Sequence, residues 1–226
     1  MKKFIIILFL FLYPSISSAH MAHYNKYNKV EMEIFRNGEL IGYNYYFFTR
    51  KDDQTIVTNQ IKFSVKILGA TIFKVEGYAE EKYLKDQLIS YKSKTLQNDK
   101  EKFVNLSFEK INNQFNIEGS SYKGKAPSDN IIGNWWNHRI LQADSQISPI
   151  SGSIKEQIVT FVGKEKINLY GKEFEVDHFS LKSKDMSLPK DKRLDFNIWY
   201  DQSSSMILKV TYSRMGDWEY RLKSFE

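Results

Sequence analysis

Apolar residues recur at every second position along most of this chain, and short turn signals separate one such run from the next. Tyr27 to Phe35 sets Val30, Met32 and Ile34 on one face and Glu31 and Glu33 on the other, the alternation of a half-buried strand. Arg36-Asn37-Gly38-Glu39 follows, and Asn-Gly between alternating runs marks a tight hairpin. The return run, Leu40 to Thr49, carries Ile41, Tyr43, Tyr45 and Phe47 on one face and Gly42, Asn44, Tyr46 and Phe48 on the other. An ordinary one-sided strand would be polar on one of those faces. This strand is expected to be covered twice or to face a cavity. Further alternating runs follow Val57–Ile67, Ile72–Tyr78, Leu88–Lys92, Phe103–Phe108 and Phe115–Glu118. After a loop-like passage from Ser120 to Asn130, with Gly124 and Pro127, they resume from Ile158 to Leu222. Connections this short indicate an up-and-down antiparallel meander and exclude a βαβ arrangement.

One segment has a helical rhythm instead. Ile132, Trp135, Trp136, Arg139 and Ile140 fall on one face of an α-helix, and Asn134 or Asp129 is available to cap it. A short helix with a bulky aromatic face must pack on a sheet or plug an opening in one. The expected fold is therefore mostly β: a single curved antiparallel sheet or incomplete β-barrel, clam-like, with one short helix packed on or plugging the concave face.

The N-terminus reads as a secretory signal. Lys2 and Lys3 precede the apolar run Phe4–Leu12, Pro14 breaks it, and Ser17-Ser18-Ala19 supplies the small residues of a cleavage site. The run is shorter than the ~20 residues that span a bilayer. Cleavage after Ala19 leaves a single β-rich domain over residues 20–226, periplasmic or secreted, with no transmembrane segment. The chain contains no cysteine, so stability must come from a core and not from disulfides. The net charge of +6 includes Lys2 and Lys3. The remainder is spread along strand faces, as in Ile61-Lys62-Phe63-Ser64-Val65-Lys66-Ile67, and does not mark a nucleic-acid site.

Candidate chemistry is sparse. No G-x-S-x-G elbow, H-E-x-x-H or Walker-type loop is present. Glu80-Glu81 and Asp52-Asp53 read as turn or strand-end carboxylates facing water. His178 and Asp177 are strand neighbours and point to opposite faces, so they are no dyad. His20-Met21-Ala22-His23 has the chelating groups of an N-terminal copper site but no further spaced ligands, and no metal or cofactor is expected. His138 reads as a partly buried histidine or as a hydrogen-bonding group at a pocket mouth. Trp135 and Trp136 read as core packing or as the lip of a hydrophobic cavity, with Arg139 placed to meet an anionic headgroup.

Several motifs resemble an exported proteobacterial family known as a domain of unknown function. They are Arg36-Asn37-Gly38-Glu39-Leu40-Ile41-Gly42, Phe63 to Gly69, Glu81 to Leu88, Asn134-Trp135-Trp136-Asn137 and Asn197-Ile198-Trp199-Tyr200-Asp201. Tyr83 and Gln87 stand where that family usually has Trp and Gly. The resemblance implies an exported β-rich domain, distantly similar to the open half-barrels of the lipoprotein carriers LolA and LolB. The leading expectation is a non-enzymatic binding or carrier protein for an acyl chain or other apolar envelope molecule. Its ligand would meet Trp135, Trp136, His138, Arg139, Tyr43, Tyr45 and Phe47. The alternatives are an envelope scaffold that pairs a protein partner through sheet edges, and a hydrolase or isomerase using His138.

Overall fold

The structure is a computed structural model and describes residues 21–226. The signal expected over residues 1–19, and His20 after it, lie outside the described residues. Fifteen strands are present among those described. The first eight are β1 Lys29–Arg36, β2 Glu39–Lys51, β3 Gln54–Ile67, β4 Ala70–Leu84, β5 Gln87–Gln97, β6 Lys100–Glu109, β7 Gln114–Gly119 and β8 Tyr122–Pro127. The rest are β9 Ile131–Ile132, β10 Ser145–Ile147, β11 Ile154–Leu169, β12 Lys172–Ser183, β13 Asp195–Asp201, β14 Met206–Ser213 and β15 Asp217–Phe225.

The hairpins turn where φ becomes positive. Asn37 (φ 50) and Gly38 (φ 81) join β1 to β2, and Tyr170 (φ 52) and Gly171 (φ 82) join β11 to β12. Two such residues in succession give a turn whose twist matches the flanking strands. The β3–β4 turn places a leucine, Leu68 (φ 49), before Gly69, in a conformation that sterics reserve largely for glycine and asparagine. The Leu68 side chain is fully exposed, so no packing offsets that conformation. Leu68→Asn is expected to stabilise the fold by about 1 kcal/mol, read as a higher urea midpoint at unchanged slope.

The strands form one sheet in the order β8-β7-β6-β5-β4-β3-β2-β1-β15-β14-β13-β12-β11-β10-β9. Strands β1 and β15 meet at its centre, with Ile34 opposite Tyr220, and two meanders run outward from that seam. Every pairing is antiparallel except β9 with β10. The outermost strands, β8 and β9, are linked only by residues 128–130, a tether of at most ~14 Å. Fifteen strands laid flat would spread over roughly 65 Å. The sheet must therefore curl until its edges approach. Ser121 N donates to Ser151 O at 3.0 Å across the gap. Register shifts at Ile34/Phe35, Val65/Lys66 and Lys82/Tyr83 mark bulges, which bend strands and increase their twist. The result is an antiparallel half-barrel that curls without closing.

Two local expectations differ from the structure. Residues 120–130 are not simply a loop, because Tyr122–Pro127 forms β8. Its pattern Tyr-Lys-Gly-Lys-Ala-Pro is that of an edge strand, where lysine and proline discourage further pairing, and it carries too few apolar residues to show an alternation. The helical rhythm at 132–140 yields no α-helix. Ile131–Ile132 pairs with Gln146–Ile147, the chain then runs irregularly, and a single 3₁₀ turn forms at His138–Leu141. Asparagine side chains take the backbone donors a helix would need: Asn137 N donates to Asn134 Oδ1 at 3.3 Å and Arg139 N to Asn137 Oδ1 at 3.0 Å. This is the local competition that keeps asparagine out of helix interiors.

Candidate functional site

The segment from Ile131 to Ile147 crosses the concave side of the sheet and plugs part of the interior. Trp136 is fully buried. Its indole meets Tyr24, Phe48 and Tyr83 edge-on, with ring centroids at 4.9, 5.3 and 5.9 Å. The N-terminal turn Met21–Tyr24 closes the space beneath it, and Arg50 Nη2 donates to the carbonyls of Tyr24 and Tyr27 at 2.5 Å. A second anchor is the Gln146–Gln157 pair. Gln146 Nε2 donates to Gln157 Oε1 at 2.6 Å, and Gln157 Nε2 donates to the carbonyls of Ile140 and Ala143, both at 2.9 Å. Gly133 gives this amide room, since a Cβ would lie 1.9 Å from Gln146 Oε1 and push it out of place.

One carboxylate gathers several of the contacts between the plug and the sheet. Glu81, on β4, is 2% exposed. Its Oε1 accepts from Asn134 Nδ2 at 2.8 Å and from Trp136 Nε1 at 3.0 Å, and its Oε2 accepts from the Tyr83 hydroxyl at 2.6 Å. Burial pushes its pKa up to about 7, against the three donors, which favour the charged form. The sequence reading placed Glu80-Glu81 at a turn or strand end facing water. In fact both lie inside β4, and Glu81 shares its parity with Val75, Ala79 and Tyr83, all buried. That parity is the signal that identifies it. Beside it, the Tyr46 hydroxyl accepts from Asn44 Nδ2 at 2.8 Å and from Trp135 N at 3.3 Å, and burial raises its pKa.

Beyond this floor the sheet encloses a cavity. It has a volume of about 540 Å³ and lies between β2–β5 on one side and β13–β15 on the other, within the ~300–1,000 Å³ of small-molecule sites. Phe63, Phe73, Trp135, Phe196 and Trp218 provide much of its wall, and Asn44, Tyr46, Glu81 and Asn134 its closed polar end. The walls meet at Phe63 and Trp218, whose rings touch edge-on at 5.5 Å. Arg36, Ile72, Arg214 and Met215 also line the cavity beside the turns β1–β2, β3–β4 and β14–β15, and the exposure of Ile72, Arg214 and Met215 marks this as its open end.

The residues singled out in the sequence divide by this geometry. Trp135 lines the cavity and packs on Phe196 at 5.1 Å. Trp136 belongs to the plug. Tyr43, Tyr45 and Phe47 lie on the opposite face of β2, where Tyr43 stacks on Tyr45 at 4.4 Å and the Lys29 ammonium sits 5.3 Å from the Tyr45 ring. The cavity takes the other face of that strand, Asn44 and Tyr46. The inner face of β2 is covered by the plug at Phe48 and meets the cavity at Asn44 and Tyr46, and the outer face is a cation-covered aromatic stripe. His138 and Arg139 do not line the cavity. His138 Nδ1 lies 2.6 Å from the Tyr24 hydroxyl, and burial lowers the ring's pKa to about 4, assisted by His23. The imidazole is thereby held neutral at ordinary pH, against a buried phenol. His178 and Asp177 do point apart: His178 Nδ1 lies 3.0 Å from Glu165 Oε1, whereas Asp177 Oδ2 accepts from Gln202. Among the described residues no group of three or more His, Cys, Asp or Glu side chains converges as a metal shell would.

The architecture defines a class: β-barrel-like proteins in which one antiparallel meander curls around a partly plugged interior. Within it, the chain belongs to the family described as Domain of unknown function (DUF6134), whose model matches residues 32–223. The fold is similar to the crystal structure of a "Beta-barrel-like Protein of Domain of Unknown Function DUF1849" from Brucella abortus. That alignment has a TM-score of 0.56 and 9% identity and covers 88% of this chain and 95% of that one. At such identity the likeness is one of fold alone. A DUF1329 family protein from Desulfovibrio piger ATCC 29098 aligns over 92% of this chain and 89% of its own at 10% identity, but its TM-score of 0.25 carries no argument. No curated protein matches the sequence.

Proposed function

We propose that this protein binds or carries an acyl chain or other apolar molecule of the cell envelope inside the half-barrel. The observation that carries the reading is the cavity of about 540 Å³, walled by Phe63, Phe73, Trp135, Phe196 and Trp218 and open at one end. A polypeptide does not maintain so large an apolar void for stability, since unfilled space costs packing energy. Each methylene entering it would contribute about 0.8 kcal/mol, so a chain of ten would gain roughly 8 kcal/mol before the cost of immobilisation. The secretory signal read over residues 1–19 makes the periplasm, or the space outside the cell, the place where this ligand would be met.

Native mass spectrometry of the protein purified from a periplasm tests the proposal. A stoichiometric apolar adduct is expected, recoverable by organic extraction. Ala79 is buried and borders the cavity, and Ala79→Trp fills the space from its wall. The variant should fold and lose the adduct. A bare mass in the wild-type protein, even after lipid is offered, would overturn the reading.

A second reading, partner binding through a sheet edge, has one observation in its favour. Strand β11 meets β10 only through Ile154, Lys155 and Glu156, and its continuation exposes Ile158, Phe161 and Val162 by more than half. Lys164, Glu165 and Lys166 follow directly, the charged residues by which natural edges avoid such pairing. The interior is hollow as well. The cavity reading is therefore preferred, and an association abolished by Val162→Lys but untouched by Ala79→Trp would reverse that preference.

A further inference from the structure

We infer that the open end of the cavity is a headgroup site, and that the ligand is a single-chain amphiphile ending in a small oxyanion such as a carboxylate; this rests on the cavity reading above. Two guanidinium groups, Arg36 and Arg214, border the opening. They come from opposite ends of the sequence and are brought together by the central seam, where Arg36 on β1 lies opposite Trp218 on β15. The β14–β15 turn is folded against Arg36. Arg36 Nη2 donates to Met215 O, and Asp217 N donates to Asn37 Oδ1 at 2.8 Å. Gly216 has φ +121, and a Cβ there would lie 3.0 Å from both Arg36 Nε and Nη2. Only glycine lets the guanidinium rest on the turn. Arg214, in the same turn, donates through Nη2 to Arg193 O at 3.0 Å.

Both arginines are thus positioned by backbone carbonyls, which fix the groups without neutralising them. Neither is in an ion pair with a carboxylate among the described residues. Lysines on the outer face of the same strands differ: Lys62 pairs with Glu76 at 3.2 Å and Lys74 with Asp99 at 2.9 Å. Two carboxylates stand at the same turns, Glu39 opposite Arg36 across the β1–β2 hairpin and Asp217, which accepts from Ser213 Oγ at 2.7 Å, and neither is paired with a guanidinium among the described residues. Two unneutralised guanidiniums, each with five donors of which one is seen engaged, match the planar geometry of a carboxylate or phosphate oxygen set. Apolar Met215, 85% exposed, and Ile72, 44% exposed, stand beside them, and the aromatic cavity lies behind. An ordered pair of cations at the lip of an apolar void selects a molecule that is charged at one end only.

The test compares cis-parinaric acid with its methyl ester, two fluorescent probes alike except for the charge. The wild-type protein should bind the acid about tenfold or more tightly than the ester. In the Arg36→Gln/Arg214→Gln double variant the acid-over-ester ratio should fall to near one, with Arg214→Lys intermediate. The ratio is taken within each variant, so a general loss of folding, which weakens both probes together, does not imitate the effect. Equal binding of both probes by the wild type, or a preference that survives the double variant, overturns the headgroup site and leaves the cavity reading intact. Binding of neither probe by the wild type overturns both. Displacement of the acid by inorganic phosphate alone would mark an adventitious anion site with no demand for a chain, and would overturn the amphiphile.

Discussion

Trp136→Ala is expected to destabilise the protein by about 4 kcal/mol, the range for deleting a large buried aromatic side chain, and to do so whether or not ligand is bound. The indole is fully buried and touches three elements at once: the N-terminal turn through Tyr24, β2 through Phe48 and β4 through Tyr83. Its removal also takes one of two donors from Glu81 Oε1. Trp136→Phe separates these effects, since it keeps most of the packing and loses the N–H, and it should cost about 1–3 kcal/mol. Trp135→Ala is the contrasting variant. That ring is only partly buried and borders the cavity, so its loss should perturb ligand binding more than folding. Urea titrations of the three variants, with probe affinity measured on each, check the pattern. A Trp136→Ala midpoint equal to the wild type would show that the plug does not hold the half-barrel together.

The difference between the two tryptophans marks the limit of what the sequence discloses. Adjacent in the chain and both on one expected helical face, they were equivalent as residues of a pattern. Asn134 and Asn137 break the helix, and the two rings then fall in different environments. The strands were far more legible, because alternation such as Val30-Met32-Ile34 is a local consequence of one buried face, and Asn37-Gly38 fixes its turn locally too. The apolar doubling of β2 left open whether the strand is covered twice or faces a cavity, and parity alone does not say which face does which. Tyr43, Tyr45 and Phe47 proved to be outside, and Asn44 and Tyr46 inside. The headgroup site was not legible at all. Arg36 and Arg214 are joined by the β1–β15 pairing, a contact between the two ends of the domain for which no neighbouring residues provide a pattern.

The second large effect is a dependence on pH that the wild-type protein partly conceals. Burial raises the folded-state pKa of Glu81 from 4.5 to about 7. Between those values the folded protein holds a proton that the unfolded chain has released. Stability from this group is therefore greatest in acid, falls as pH rises toward 7, and is level beyond. A shift of that size corresponds to roughly 3 kcal/mol. His138 acts in the opposite direction. Its folded pKa is lowered from 6.5 to about 4, so the unfolded chain takes up the proton first, and stability is lost as pH falls through that window. The ring is only partly buried, and solvent screening makes its contribution the smaller. The two trends overlap, and the wild-type profile should be shallow between them. Glu81→Gln retains the shape and the acceptor for Asn134 and Trp136 but cannot titrate. Its stability relative to the wild type should rise between about pH 4.5 and pH 7 by up to roughly 3 kcal/mol, while its own profile falls toward acid under the unmasked influence of His138. His138→Asn should show the reverse, a profile that declines as pH increases. Chemical denaturation of the three proteins at a series of pH values is the measurement. A constant difference between Glu81→Gln and the wild type across that range would mean that Glu81 is ionised throughout, and that its three donors outweigh its burial.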